Sequence, residues 1–255
     1  MHVMEPDFPI DDIRDGLIEY QNSAIMKPDF YKIAFQWPPS VARDPQRRFE
    51  VQYTTQTLGF MAHGTWAHNR PQNPIFQISQ GDVPAELTNT EFMDDSFMDV
   101  DDICLNYWPC LSNARDRSRA DIFRWNEYTK HFSGLPPIAF FGLPVHILMN
   151  LPGDFGIRLD ALQPASHIMN VVSTTLQNSI TDLEITNAFN VVSKDVELQF
   201  CNDSAGSKIL KEIRLWLDGD LSRTIRPMIA NPYKGVTNVN ELVLVPSTYP
   251  PTTAM

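Results

Sequence analysis

The chain has 255 residues, 43% of them hydrophobic and only 20% charged, which excludes a disordered protein and leaves room for a substantial core. Its net charge of −11 excludes the broad basic footprint of a protein that grips nucleic acid along its surface. Twenty prolines, with few long helical patterns, favour a β-rich, loop-rich fold.

In chain order, the acidic N-terminus MHVMEPDFPIDDIRDG lacks the apolar stretch of a signal peptide. Ile13, Leu17 and Ile18 give an apolar stripe and predict a short helix within 11–25, stopped by Pro28. FYKIAFQW (30–37) alternates as a strand and ends at Pro38-Pro39. FEVQYTTQTLGF (49–60) is a second strand candidate, HGTWAHNRPQNP (63–74) reads as a loop, and IFQIS (75–79) as a short strand.

Charge then becomes uneven. From Pro71 to Ala114 there is no Lys or Arg, and Asp94, Asp95, Asp99, Asp101 and Asp102 close this acidic stretch. Arg115, Arg117, Arg119 and Arg124 follow, in a segment expected to open a helix reaching about Lys130. GLPPIAFFGLPVHILMNLPG (134–153), broken by prolines, is expected to form short buried strands or an extended packing segment. It is too short and interrupted to span a bilayer, and no membrane association is expected. FGIRLDAL (155–162) is a strand candidate, two further strands are read within 165–189, and ELVLV (241–245) is expected as the last.

The segment DVELQFCNDSAGSKILKEIRLWLDG (195–219) reads as a strand turning into a helix. Val196, Leu198 and Phe200 alternate on one face. Asn202 and Asp203 suit a helix N-cap, and Ile209, Ile213, Trp216 and Leu217 recur at helical spacing up to Gly219. The expected architecture is α+β and β-rich: an antiparallel β-sandwich or barrel with a flanking helix at about 203–218. It is expected as a single domain over 1–255 with a long acidic insertion at about 71–114.

Candidate chemistry is sparse. Asp94, Asp95, Asp99, Asp101 and Asp102 offer hard oxygen ligands, but lack the glycine and closing glutamate of an EF-hand loop. His63 and His68 are five apart, and a zinc pair on a helix is three or four apart, so both are read as loop histidines. Cys201 stands beside the expected helix cap, where a lowered thiol pKa is conceivable, but a small buried residue is the simpler reading. Cys104, Cys110 and Cys201 are too few and too far apart for a disulfide framework, which fits a reducing compartment. No Gly-x-Ser-x-Gly, phosphate loop or dinucleotide fingerprint occurs. No catalytic residue, metal or cofactor is expected.

The strand, polar pair and helix of 195–219, with Pro28 to Tyr31 leading into a strand, resemble units of phage tail tube and baseplate tube-initiator proteins. The resemblance implies a non-enzymatic virion protein, assembled in a host cytoplasm into hexameric rings alongside other virion proteins. It also implies an acidic lumen that repels passing DNA, with no sequence-specific nucleic-acid binding. Asp94, Asp95, Asp99, Asp101 and Asp102 are then candidate lumen or interface acids, and Arg115, Arg117, Arg119 and Arg124 candidate interface bases. A β-rich capsid or capsid-associated subunit is the alternative, and a soluble enzyme with an unrecognised site the third reading.

Overall fold

The structure, a computed structural model, describes residues 9–46, 60–69, 103–112, 116–149, 196–206, 208–223, 225 and 242–243. These form one sheet with helices packed against it, an α+β arrangement. In chain order they are α1 (Ile10–Asn22), β1 (Phe30–Gln36), α2 (Pro38–Arg43), β2 (Met61–His68), α3 (Arg117–Lys130), α4 (Pro137–Met149), β3 (Val196–Asn202), β4 (Lys208–Asp218) and β5 (Leu242–Val243). A short helical stretch at 103–107 precedes α3.

The sheet order is β2-β1-β4-β3, antiparallel throughout, with β5 pairing parallel to the start of β4. Side chains alternate across each strand, so the two sheet faces carry different residues. Tyr31, Ile33 and Phe35 of β1 stand beside Leu217, Leu215 and Ile213 of β4 on one face. All six are buried in a core completed by Ile13, Leu17 and Tyr20 of α1 and by Phe140, Phe141 and Leu143 of α4. Gly16 lets α1 lie close on α4, because a Cβ there would stand 3.0 Å from Ile138 Cγ2. The Tyr20 and Tyr31 hydroxyls, 2.7 Å apart, satisfy one another inside this core, and Tyr31 also donates to Ser133 Oγ at 2.6 Å.

Several sequence expectations hold: the helices at α1 and α3, and the strands at β1 and β3, with β5 inside the expected last strand. Three do not. HGTWAH is the body of β2 rather than a loop. Residues 137–149 are helical despite Pro144, because this segment is apolar all round and packs on several sides, so burial outweighs the lost N–H.

The expected flanking helix at 203–218 is instead the central strand β4, hydrogen-bonded to β1 on one side and β3 on the other. The Asn202-Asp203 pair does not cap a helix. The Asp203 carboxylate accepts from Ala205 N at 2.9 Å, and Gly206 takes φ +82°, which closes a hairpin between β3 and β4. Gly219 is required by a close approach rather than a helix end: a Cβ there would fall 1.9 Å from the Pro28 carbonyl oxygen. With helices covering one face of the sheet, the described residues show no second sheet of a sandwich. The strand candidates at 49–60, except for Phe60, and at 75–79, 155–162 and 165–189 lie outside the described residues.

A histidine-rich candidate active site on the polar face of the sheet

The second face of the sheet is polar. It begins with a β-bulge in β2: Ala34 pairs with Gly64 and Phe35 with Ala62, leaving His63 as the extra residue. A bulge re-aims a side chain that strict alternation would have sent elsewhere. Ala62 stays in the core, and His63 turns to Glu212 of β4, its Nδ1 lying 2.5 Å from Oε2.

Helix α3 closes the site from beyond β2. Asp116 caps its N-terminus by accepting from Arg119 N at 3.2 Å. Ala120, Arg124 and Tyr128 form its buried stripe. Tyr128 fixes the helix by packing edge-on to Phe140 at 5.0 Å and donating to Leu135 O at 2.9 Å. The adjacent stripe, Phe123, Glu127 and the C-cap His131, is spaced by four residues and therefore meets the site as one row.

Trp66 joins the two parts. Its Nε1 donates to Glu127 Oε2 at 3.2 Å, and its ring lies 5.2 Å from the His63 ring and 5.6 Å from the His131 ring, centroid to centroid. Glu127 Oε2 is also 3.7 Å from His131 Nε2. Phe123 stacks near His63 at 6.4 Å. Gly64 is small by necessity, since a Cβ would stand 2.1 Å from Trp66 Nε1 and 2.9 Å from Glu127 Oε2.

Beneath these groups runs a charged ladder across β1, β4 and β3. Arg214 lies over the Trp66 ring at 5.0 Å and donates from Nε to Glu212 Oε1 at 2.5 Å. Its other arm donates to Glu197 Oε1 at 3.2 Å. Glu197 also receives Trp216 Nε1 at 2.8 Å, Lys32 Nζ at 3.0 Å and Gln199 Nε2 at 2.5 Å. Phe30 stacks between Trp216, at 4.6 Å, and His68, at 5.4 Å.

Burial raises the proton affinity of both carboxylates, but their partners outweigh it. Glu212 is held below the usual range by His63 and Arg214, and Glu197 by Lys32, Trp216 and Arg214. Both therefore act as ionised acceptors. Burial pushes His131 down to about 4, aided by the positive charge of Lys130 and by the other two histidines, His68 and His63. His131 is thus neutral in water near neutral pH. His63 and His131 both keep part of their surface in solvent, so a reactant can reach either ring.

These residues allow proton transfer at two imidazoles around one indole, with the exposed Lys130 beside His131 on the last turn of α3. Among the described residues no cluster of three or more His, Cys, Asp or Glu could hold a metal ion, and no helix is long and apolar enough to cross a membrane.

The earlier candidates fall elsewhere. Asp94, Asp95, Asp99, Asp101, Asp102 and Arg115 lie outside the described residues. Arg117 and Arg119 stand in the first turn of α3, and Arg124 is fully buried against Asp121. Cys201 sits in β3 opposite Ile209, with no helix terminus following it. Zinc spacing does not single out these histidines, since His63 and His68 are five apart and His131 is distant in sequence. The signal that the sequence does carry is the Glu127/His131 pair at i and i+4, combined with a His-Gly-x-Trp strand.

No family model matches the chain, and no curated protein matches it in sequence. Solved structures do. RNase NT, determined with 5'-AMP, superposes with a TM-score of 0.53 at 17% identity, over 78% of this chain and 90% of its own. Ribonuclease MC1 from bitter gourd seeds matches at TM-score 0.47 and 18% identity, over 77% and 93% of the two chains. Japanese pear S3-RNase matches at 0.44 and 19%, over 77% and 89%.

The chain thus shares the fold of RNase NT. The resemblance to tail tube proteins is overturned, because the strand–helix unit that carried it is a strand hairpin and the fold is that of RNase NT. The virion location, the capsid alternative and the reading as a non-enzymatic structural protein fall with it, since the fold is that of RNase NT, a ribonuclease by name.

Proposed function

We propose that the protein is a ribonuclease that cleaves RNA by attack of a ribose 2'-hydroxyl on the adjacent phosphodiester, with His131 and His63 as the proton-transfer pair. The observation that carries this reading is the meeting of the two imidazoles at Trp66, on a fold shared with RNase NT. Cleavage of this kind needs one group to take the 2'-hydroxyl proton and another to supply a proton to the departing 5'-oxygen. The new P–O2' bond forms as the P–O5' bond breaks, leaving a 2',3'-cyclic phosphate and a free 5'-hydroxyl.

His131 suits the base, because burial beside Lys130 keeps it neutral down to about pH 4. His63 then takes the role of acid on the other side of Trp66. Lys130 offers positive charge where negative charge gathers on the phosphate oxygens. The overall acidity of the chain does not oppose this: the reaction needs local cations at one phosphate, not a long basic track.

The test is cleavage of an oligoribonucleotide beside its 2'-O-methyl counterpart between pH 4 and 8. The native protein cuts the first and spares the second. His63→Gln and His131→Gln each lower the rate by about 10²- to 10⁴-fold, the usual worth of a positioned acid or base. Cutting of the 2'-O-methyl strand, or full activity in both variants, would overturn the assignment.

A further inference from the structure

The charged ladder under the site contains a carboxylate that the proposed reaction does not use. Glu212 is almost fully buried on the central strand, yet its two oxygens are divided between His63 Nδ1 and Arg214 Nε, each at 2.5 Å. Burying a carboxylate is costly, and one in mid-sheet has no role in closing the core. Its position is set by two irregularities in the sheet. The bulge in β2 turns His63 toward β4, and a shift in the β3–β4 register falls just beside Glu212, between the Gln199–Glu212 and Phe200–Leu210 pairs.

We infer that Glu212 is a positioning residue for His63: it accepts the Nδ1 proton, fixes that tautomer and ring orientation, and leaves Nε2 as the nitrogen that exchanges a proton with substrate. This assignment of a step to His63 rests on the ribonuclease reading, whereas the tautomer assignment does not. An ionised carboxylate can only accept, so the imidazole nitrogen facing it must carry hydrogen. A histidine with one nitrogen engaged in this way presents the other with a defined protonation state. Arg214 completes the arrangement. Its Nε holds Glu212, its NH1 reaches Glu197, and its guanidinium covers Trp66, so the ring that His63 packs on and the carboxylate that orients it move as one unit.

The experiment joins a spectroscopic readout to a kinetic one, on the full chain. Nitrogen-15 spectra of the neutral His63 ring report which nitrogen carries the proton, independently of any activity. In the native protein the expected form is Nδ1–H. Glu212→Gln preserves size and keeps an acceptor oxygen, while Glu212→Ala removes the acceptor. A folded Glu212→Ala is expected to show mixed tautomers. On the oligoribonucleotide, kcat is expected to fall about 10- to 100-fold with KM little changed, and Glu212→Gln to lie between it and the native protein.

Should Glu212→Ala fail to fold, Glu212→Gln carries the test alone, and a native tautomer population with native kcat in that variant would overturn the inference. An Nε2–H tautomer in the native protein would overturn it as well. A tautomer that depends on Glu212 in a protein that cuts no RNA would leave the positioning in place and remove the ribonuclease reading.

Discussion

The two faces of one sheet solve opposite problems. On the face under α1 and α4, Tyr31, Ile33, Phe35, Ile213, Leu215 and Leu217 are buried among apolar neighbours. Burial of such side chains is worth about 1.5–3 kcal/mol each, and this is where the fold gains its stability. On the other face, the same strands carry Lys32, Glu197, Glu212 and Arg214, and His63 is added by a bulge. Those groups are partly desolvated and offset one another through ion pairs, so their net contribution to stability is small. Strand periodicity is thus used twice here, once to make a core and once to hold a reactive surface rigid against it.

Substitutions can separate the two faces. The largest effect on activity is expected at His63 and His131, where rate falls by orders of magnitude; at His63 some stability goes with it, because the buried Glu212 carboxylate loses one of its two partners. On the apolar face, Phe35→Ala removes a fully buried ring and is expected to cost about 3–5 kcal/mol in denaturant unfolding. The fraction that remains folded should keep its cleavage rate per molecule. A Phe35 variant with native stability and lost activity would mean the faces are not separable in this way.

Gly64→Ala strikes the polar face alone, because Gly64 lies in β2 yet has no room for a methyl group on that side. The added carbon would collide with Trp66 and Glu127, costing about 1–3 kcal/mol. Activity should fall along with the displaced indole, and a lost Trp66 near-ultraviolet signal checks the cause. If Gly64→Ala keeps both activity and that signal, Trp66 is not held as tightly as the site requires.

Stability is also expected to depend on pH. His146 lies in the helix on the apolar side, and His68 and His131 on the polar side. Burial pushes each of them down to about 4. The unfolded chain binds these protons at about 6.5, so it holds more protons than the native state at intermediate pH. The contribution is fully present above pH 6.5 and is lost as pH falls through 4. The melting temperature should therefore drop across that window, and His146→Phe should flatten the drop without changing cleavage. An unchanged slope in His146→Phe would show that the buried helix does not hold a neutral imidazole.

Much of the apolar face was legible in sequence. Ile13 and Leu17 at helical spacing, and the alternation of 30–37, correctly indicate α1 and β1. Trouble began where one strand serves both faces. In β4, Ile213 and Leu217 sit four apart, which satisfies a helical period, while Glu212, Arg214 and Trp216, alternating with the apolar residues, face the ladder. A central strand with partners on both sides yields no unique period, and the Asn-Asp pair before it suits a helix cap as well as a hairpin turn.

The site was still less legible, because its histidines come from a strand and a helix end that are far apart in sequence. His63 faces the site only through a bulge that one sequence does not announce. Glu212 meets His63 only because β1 brings β2 and β4 onto one surface.

The most direct test of the account uses a DNA strand carrying a single ribonucleotide. The native protein should cut once, on the 3' side of the ribose, leaving a 2',3'-cyclic phosphate that mass spectrometry identifies, and His131→Gln should leave the strand intact. Cleavage at deoxyribose positions, or a first product with an open 5'-phosphate, would contradict a reaction driven by the 2'-hydroxyl.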